Sequence, residues 1–544
     1  MANIPNPILP GFHPDPCIIW AKGYYYLATS TFEWWPGVQI HRSRDLGKWE
    51  LAGYALTRRS QLDMRGNPDS GGVWAPALSY ADDRFWLVYS DVKCHSGPFK
   101  DVRNYLITAE RVEGPWSDPV YLNRSGFDPS LFHDTDGRKW LVSQVWRTST
   151  TIAAFAGIAL QSYSFEEKRL MGEPANIFAG TARGLTEGPH LYKRDGYYYL
   201  VTAEGGTEWN HAVSLARSRT IDGPYESSPH NPLLTSSGNP GLRLKKAGHG
   251  SLVQSPEGEW YLAHLCSRHN SRPRCILGRE TAIQNIVWAK GEWPRLATGG
   301  HEPADSFQAP VDTVEQYLPA FDDHFENATL NLQWNTLREP STSDWLSLTE
   351  KPGYLRLRGR CSLQSLFDQS LVGFRLHHPR CRVAAGFEFS PRSFQQSAGL
   401  AMYYNTSNFY YAHVTADETG KPILRILSSD NRRCSEVYSE ALPPAFPGVV
   451  EIGAILDHEH LRFLMTLPGG AQRTLGPDLD ATILSDDYPN EGGVGLAFTG
   501  VFAALCAQDS SAFNLPADFD WFRYRALTDA RVTDSIAIES STSA

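Results

Sequence analysis

Three carboxylic acids stand far apart in the chain yet share one offset. Asp15, Asp128 and Glu187 each lie twelve or thirteen residues before a leucine that closes a short aromatic segment, namely Leu27, Leu141 and Leu200. Proline follows each of them closely, as Pro16, Pro129 and Pro189. Taken singly, an Asp before Pro is an ordinary turn residue. Taken together, three acids at one structural position suggest proton-transfer chemistry. Hydrolysis of a glycosidic bond needs one acid to protonate the leaving oxygen and one carboxylate to activate water or attack carbon. A third acid nearby can hold the first one protonated, because like charges disfavour ionisation.

The elements that would position these acids are repeats. A turn, a few aromatics and an apolar stretch recur as Gly23-Tyr-Tyr-Tyr-Leu27, Asp83-Arg-Phe-Trp-Leu87, Gly137-Arg-Lys-Trp-Leu141, Gly196-Tyr-Tyr-Tyr-Leu200 and Gly258-Glu-Trp-Tyr-Leu262. The closing leucines are 60, 54, 59 and 62 residues apart. Each copy is rich in Tyr, Trp, Val and Thr around a polar turn, the pattern of β-hairpins. Gly114-Pro-Trp116, Gly223-Pro-Tyr225 and Glu292-Trp-Pro294 end three of the copies. Five β units, each long enough for four strands, predict a five-bladed β-propeller over residues 1–302. The first strand of each blade is an inner edge, where Pro16, Pro76, Pro129 and Pro189 cost no ladder hydrogen bond. At the shared offset the five blades present Asp15, Ala75 (beside Trp74), Asp128, Glu187 and His249. Residues at one offset lie at one height around one axis, so the three acids should converge on a single funnel.

The rest of the chain reads differently. Residues 303–320 carry Pro303, Pro310 and Pro319 and are expected to form a linker. Alternating segments such as Tyr354-Leu-Arg-Leu-Arg358 predict a β-sandwich over 321–530. The Ser/Thr-rich residues 531–544 are expected to be a loosely ordered tail. The fold class is therefore all-β, a propeller followed by a sandwich.

Composition narrows the partners. With 50 Lys+Arg against 60 Asp+Glu the net charge is −10, which argues against nucleic acid and against an anionic membrane. The longest apolar run, Ile152 to Leu160, is too short to span a bilayer. Aromatic residues make up 12%, which suits stacking on flat, partly apolar ligands. The first residues show no basic segment leading into an apolar run, and the eight cysteines have no metal-binding spacing, so a reducing cytoplasm is the expected location.

Four long motifs carry a resemblance. Asn6-Pro-Ile-Leu-Pro-Gly-Phe-His-Pro-Asp-Pro16, Gly126-Phe-Asp-Pro-Ser130, Leu185-Thr-Glu-Gly-Pro-His190 and Leu277-Gly-Arg-Glu-Thr281 resemble glycoside hydrolase family 43, and the two-domain β-xylosidases within it most closely. The resemblance extends through the sandwich, including Phe498-Thr-Gly-Val-Phe502. It implies that Asp15 is the general base, Glu187 the general acid, and Asp128 the residue that orients the acid and raises its pKa. It implies that Arg279 binds sugar hydroxyls beside the carboxylates, that Trp74 and Phe32 are pocket walls, and that Thr207 is a pocket residue. Phe502 matches a phenylalanine that reaches from the sandwich to the active-site rim. His249 matches a histidine that, in parts of the family, helps hold a calcium ion or a water in the channel; the hydrolytic chemistry itself requires no cofactor. The implied reaction is a single inverting displacement, with the two carboxyls separated widely enough, roughly 6.5–9.5 Å, to admit water. The implied substrate is a short xylooligosaccharide cleaved from its non-reducing end, and the implied assembly a homo-oligomer.

Two other readings compete. An α-L-arabinofuranoside places similar hydroxyls around the same carboxylates, so α-L-arabinofuranosidase or dual activity is the alternative within the family. A non-catalytic carbohydrate-binding propeller would be expected to have lost one of the three acids. A protein-interaction propeller would not need acids on three inner strands, and the repeats lack the Trp-Asp signature of that class.

Overall fold

A computed structural model describes residues 2–527 apart from 270, 312, 313, 316, 489–496, 512 and 513. The expected tail therefore lies outside the described residues. Among the described residues the regular secondary structure is almost wholly strand, and no helix is long and apolar enough to cross a membrane. The chain divides into two compact units. The first comprises Met1–Tyr317 with the short stretches Thr336–Pro340 and Gly495–Thr499, and the second comprises the remainder.

The first unit is the five-bladed propeller. Its sheets begin in turn with the inner strands Cys17–Ala21, Gly72–Ala81, Ser130–His133, Glu187–Arg194 and Lys245–Gln254. Within its sheet each inner strand pairs only with the aromatic repeat strand that follows it, such as Tyr24–Thr29 or Tyr197–Glu204, and Val73 adds a single bridge to Phe32. Pro76 and Pro189 thus sit on edges where no ladder partner is lost. The repeat aromatics and leucines pack between blades, with Leu27, Leu87 and Leu200 fully buried.

Side chains close the ring of inner strands. The Ile18 amide donates to Ser251 Oγ at 2.9 Å, Cys17 Sγ to the Leu78 carbonyl at 3.3 Å, and Ser130 Oγ to the Pro189 carbonyl at 2.5 Å. Ser79 Oγ meets His133 Nε2 at 3.0 Å, and the Leu252 amide donates to Tyr192 Oη at 2.7 Å. Each blade is thereby tied to the next. The chain ends are clasped as well: Ala2–Pro5 pairs with Ser306–Ala309. The expected linker 303–320 is thus in part a strand of the first unit, because the propeller closes by pairing its two ends.

The second unit is a β-sandwich. One sheet runs in the order Leu346–Ser347, Leu355–Arg358, Pro516–Ala526, Arg380–Glu388, Val449–Asp457, His460–Thr466 and Arg473–Asp480. The other contains, in order, Arg433–Ala441, Pro422–Asp430, Phe409–Ala416, Gln396–Tyr403, Phe502–Asp509 and Ser370–Arg375.

Candidate active site

The shared offset corresponds to a shared backbone event. Asp15, Ala75, Asp128 and His249 have φ of 55°, 33°, 52° and 39°, and Gly188 beside Glu187 has 55°. All five blades therefore pass through left-handed backbone at the axis. In the first and third blades the inner strand begins only after this residue, at Cys17 and Ser130. In the other three the pairing register breaks there, between Trp74 and Ala77, Glu187 and His190, and Gly248 and Gly250. Such a kink re-aims a side chain out of the pleat. Asp and His tolerate this conformation better than most residues.

A cavity of about 300 Å³ lies where these side chains meet, and Asp15, Asp128, Glu187, His249, Arg279 and Thr207 all line it. Its volume is at the small end of ligand sites. Asp15 is held on every side. Its Oδ2 accepts from Ser30 Oγ at 2.6 Å, and Ser30 Oγ in turn accepts the Ala75 amide at 2.7 Å. Its Oδ1 lies 3.1 Å from Arg279 Nη1 and 3.8 Å from His249 Nδ1. Burial opposes ionisation of Asp15, but Arg279, His249 and the Ser30 hydroxyl together outweigh it, and the carboxyl sits below its ordinary pKa.

Arg279 reaches Asp15 because the first and last blades are stitched beside it. The His13 amide donates to the Arg279 carbonyl at 2.9 Å, and Thr281 Oγ1 to the His13 carbonyl at 2.6 Å. The guanidinium also donates to Thr207 Oγ1 at 2.9 Å and to the Phe498 carbonyl at 3.3 Å. It lies between two rings, 5.3 Å from the centre of Phe32 and 5.2 Å from that of Phe498.

Glu187 and Asp128 titrate in the other direction. Burial, then the charge of Asp15, pushes the Glu187 carboxyl up to about 8. Burial, then Glu187 and Asp15, raises Asp128 well above the usual range. Asp128 Oδ2 accepts the Gly188 amide at 3.2 Å, which fixes the backbone beside Glu187. Gly188 has to be glycine: its φ is left-handed, and a Cβ would lie 2.9 Å from the His249 ring. The segment leading into Glu187 is anchored by the buried Glu204, which accepts the Thr181 amide at 2.7 Å and the hydroxyls of Thr181, Ser214 and Thr186. Burial lowers the pKa of the His249 imidazole, and the Asp15 carboxylate acts in the opposite sense.

The apolar walls are Phe32, Trp74, Phe127, Trp146, Phe155 and Phe498. Trp74 stands edge-on to Phe127 and to Phe498, both at 5.6 Å. One turn sets two of these walls: Ser70 accepts Trp74 Nε1 at its carbonyl (2.8 Å) and the Phe498 amide at its hydroxyl (2.9 Å). The Ser70 amide itself donates to the buried Glu33 carboxyl at 3.0 Å. Lys100 lies over the Trp146 ring at 4.5 Å and donates to the His95 carbonyl at 2.6 Å. Burial lowers its pKa, and the nearby Glu187 acts in the opposite sense.

Phe502 is not among the lining residues. It is fully buried in the strand Phe502–Asp509 of the sandwich, opposite Arg375, whose guanidinium covers its ring at 5.3 Å. The phenylalanine at the cavity is Phe498, the other end of the same five-residue motif. The sequence reading also passed over Lys100, Phe127, Trp146, Phe155, Leu185 and Glu208. Phe127 and Leu185 had a signal, since Phe127 directly precedes Asp128 in the Gly-Phe-Asp-Pro segment and Leu185 opens the segment that carries Glu187.

Comparison with known proteins agrees along the whole length. Residues 4–294 match the model of the glycosyl hydrolases family 43, and residues 322–525 match that of the β-xylosidase C-terminal concanavalin A-like domain. The chain is 46% identical to a β-xylosidase of Bacillus subtilis over 96% of this chain and 99% of that one. It is also 46% identical to xylosidase/arabinosidase 43B of Humicola insolens, covering 96% and 98%. The crystal structure of a xylan β-1,4-xylosidase from Bacillus halodurans superimposes with a TM-score of 0.93 at 50% identity, covering 96% of this chain and all of that one. With two buried carboxyls and a half-buried third gathered on its propeller axis and this likeness over both units, the chain belongs to family 43 of the glycosyl hydrolases.

Proposed function

We propose that the protein is an inverting, exo-acting β-xylosidase that releases xylose from the non-reducing ends of short xylooligosaccharides. The observation that carries this reading is the opposed titration of acids in one small aromatic cavity: Asp15 is held ionised while Glu187 is held protonated to about 8. Two groups pushed apart in this way are a base and an acid at neutral pH. Asp15 takes a proton from water as that water attacks the anomeric carbon, and Glu187 delivers its proton to the departing oxygen. Asp128 holds the Glu187 backbone through Gly188 and repels ionisation of the acid. Arg279 keeps Asp15 anionic and, through Thr207, presents donors to the sugar. The limited volume supports entry of one chain end. Incubation with xylobiose, followed by NMR of the anomer first formed, tests the reading: α-xylose is expected, and β-xylose as the first product, or no turnover, overturns it.

Dual α-L-arabinofuranosidase activity is the second reading, favoured by the name of the Humicola insolens relative. Rates on the 4-nitrophenyl β-xyloside and α-L-arabinofuranoside separate the two. A role in xylan breakdown within the cytoplasm goes with the first reading, and the free state of all eight cysteines supports a reducing compartment. A homo-oligomer remains part of the proposal, to be checked by light scattering. His249, on the axis, would be the protein donor to a calcium ion in the channel, where the ion would add positive charge beside Asp15; no step of the hydrolysis depends on it.

A further inference from the structure

The sandwich contains a second concavity, a groove of about 710 Å³ on the sheet that includes Phe409–Ala416. Tyr411, His413 and Thr415 line it. They alternate along one strand and so share a face. Tyr410 points the other way and donates to the Asp480 carbonyl of the facing sheet at 3.0 Å, so the groove lies on the outer side of the sandwich.

The charged groups around the groove already have partners. Arg425 pairs with Glu436 at 2.6 Å. Arg360 donates to the Gln369 carbonyl at 2.6 Å and covers the Trp345 ring at 4.6 Å. Asp509 accepts from Gln396, Ser511 and the Leu515 amide. The hydrogen bonds of these groups are already spent within the chain. His413 is different. It is 3% exposed, stacked on Tyr411 with ring centres 4.3 Å apart, and burial pushes its pKa down to about 3, so the ring is neutral. Its Nδ1 faces the Tyr411 carbonyl at 3.1 Å and must carry the proton to donate there. Nε2 is then a lone-pair acceptor with no partner among the described residues, on a side chain that lines the groove. At the rim the Phe394 ring is 57% exposed.

A buried acceptor, neighbouring hydroxyls, matched charges and an exposed aromatic ring fit a neutral polyhydroxylated ligand, whose C–H faces stack on aromatics and whose hydroxyls donate. We propose that this groove is a second carbohydrate site, which holds a short β-linked xylose chain apart from the catalytic cavity. The choice of xylose rests on the activity proposed for the axial site.

The probe is xylotetraose, titrated calorimetrically into the full-length Asp15→Ala variant, which retains both sites without turnover. Two binding events per chain are expected, and a single event overturns the proposal. Adding His413→Ala is expected to remove one event, and two events persisting at unchanged affinity overturn it. Should the His413 variant fail to fold, Phe394→Ala on the exposed rim serves instead. It is expected to weaken one event at least tenfold and leave the other alone, and no change in either overturns the proposal. Turnover of xylobiose by the wild-type enzyme judges the axial reading separately: its absence alongside two calorimetric events would sink that activity and support the groove.

Discussion

The axial cavity and the sandwich groove are both concave and edged with aromatic rings, yet their electrostatics are opposite. In the cavity the carboxyls of Asp15, Asp128 and Glu187 lie near the Arg279 guanidinium, and the pKa of Asp15 is driven down while those of the other two are driven up. In the groove Arg425, Arg360 and Asp509 are each matched by neighbours, and what remains is one neutral acceptor. Proton transfer needs groups whose ionisation is unsettled, whereas recognition of a neutral sugar needs groups whose ionisation is settled. The contrast separates catalysis from binding without reference to cavity size, since the larger of the two concavities is the one without chemistry.

The contrast breaks most sharply at Asp15. Asp15→Ala is expected to lower kcat/KM about 10³–10⁴-fold on xylobiose and on 4-nitrophenyl β-xyloside alike, because water must be activated whatever leaves. Similar rates for variant and wild type on the aryl glycoside would remove its role as base. Glu187→Ala is expected to lose about 10²–10⁴-fold on xylobiose but far less on the aryl glycoside, whose leaving group needs little protonation; steady-state kinetics on both substrates read the split.

Asp128→Asn sharpens the comparison through pH. The charge of Glu187 raises the Asp128 pKa, and because a pairwise interaction is reciprocal each favours retention of a proton on the pair. Removing one carboxylate lowers the pKa of the remaining acid. The alkaline limb of kcat/KM, set by loss of the Glu187 proton near about 8, is expected to move to lower pH by about one unit. A limb that stays in place, with the fold intact, excludes this coupling. The smallest effect on turnover is expected at the phenylalanines. Phe498→Ala should lower kcat/KM on xylobiose about tenfold, or about 1.4 kcal/mol, with a smaller loss of stability than the Phe502 change, since its ring borders the cavity. Phe502→Ala should instead cost about 3–5 kcal/mol of stability, as a large buried side chain removed from a core, and calorimetry distinguishes the two.

The sequence showed the propeller because each blade repeats a turn and an aromatic strand, and it showed Asp15, Asp128 and Glu187 because equal offsets in equivalent blades mean equal positions on the axis. It did not show Lys100, which stands in a connection between strands, or Trp146, which ends the repeat strand Lys139–Trp146 beyond the shared aromatic pattern. It misjudged Phe502 because a motif match cannot say which of two phenylalanines four residues apart enters a cavity. The strand Ser306–Ala309 was hidden for a related reason: its partner is at the other end of the chain, and proline-rich composition on either side reads as linker.

One of the five axial kinks carries no functional group. Ala75 has φ of 33°, and its amide holds Ser30, but its side chain is a single methyl. A backbone conformation that suits Asp, Asn or His is thus maintained at a position that presents nothing to the axis. The kink therefore behaves as a socket whose geometry is independent of what it holds. Divergence within this architecture could install a new acid, base or ligand there by one codon change, without redesign of the blade, and a protein engineer could do the same. The propeller offers five addresses around one axis, and this chain has left the second of them open.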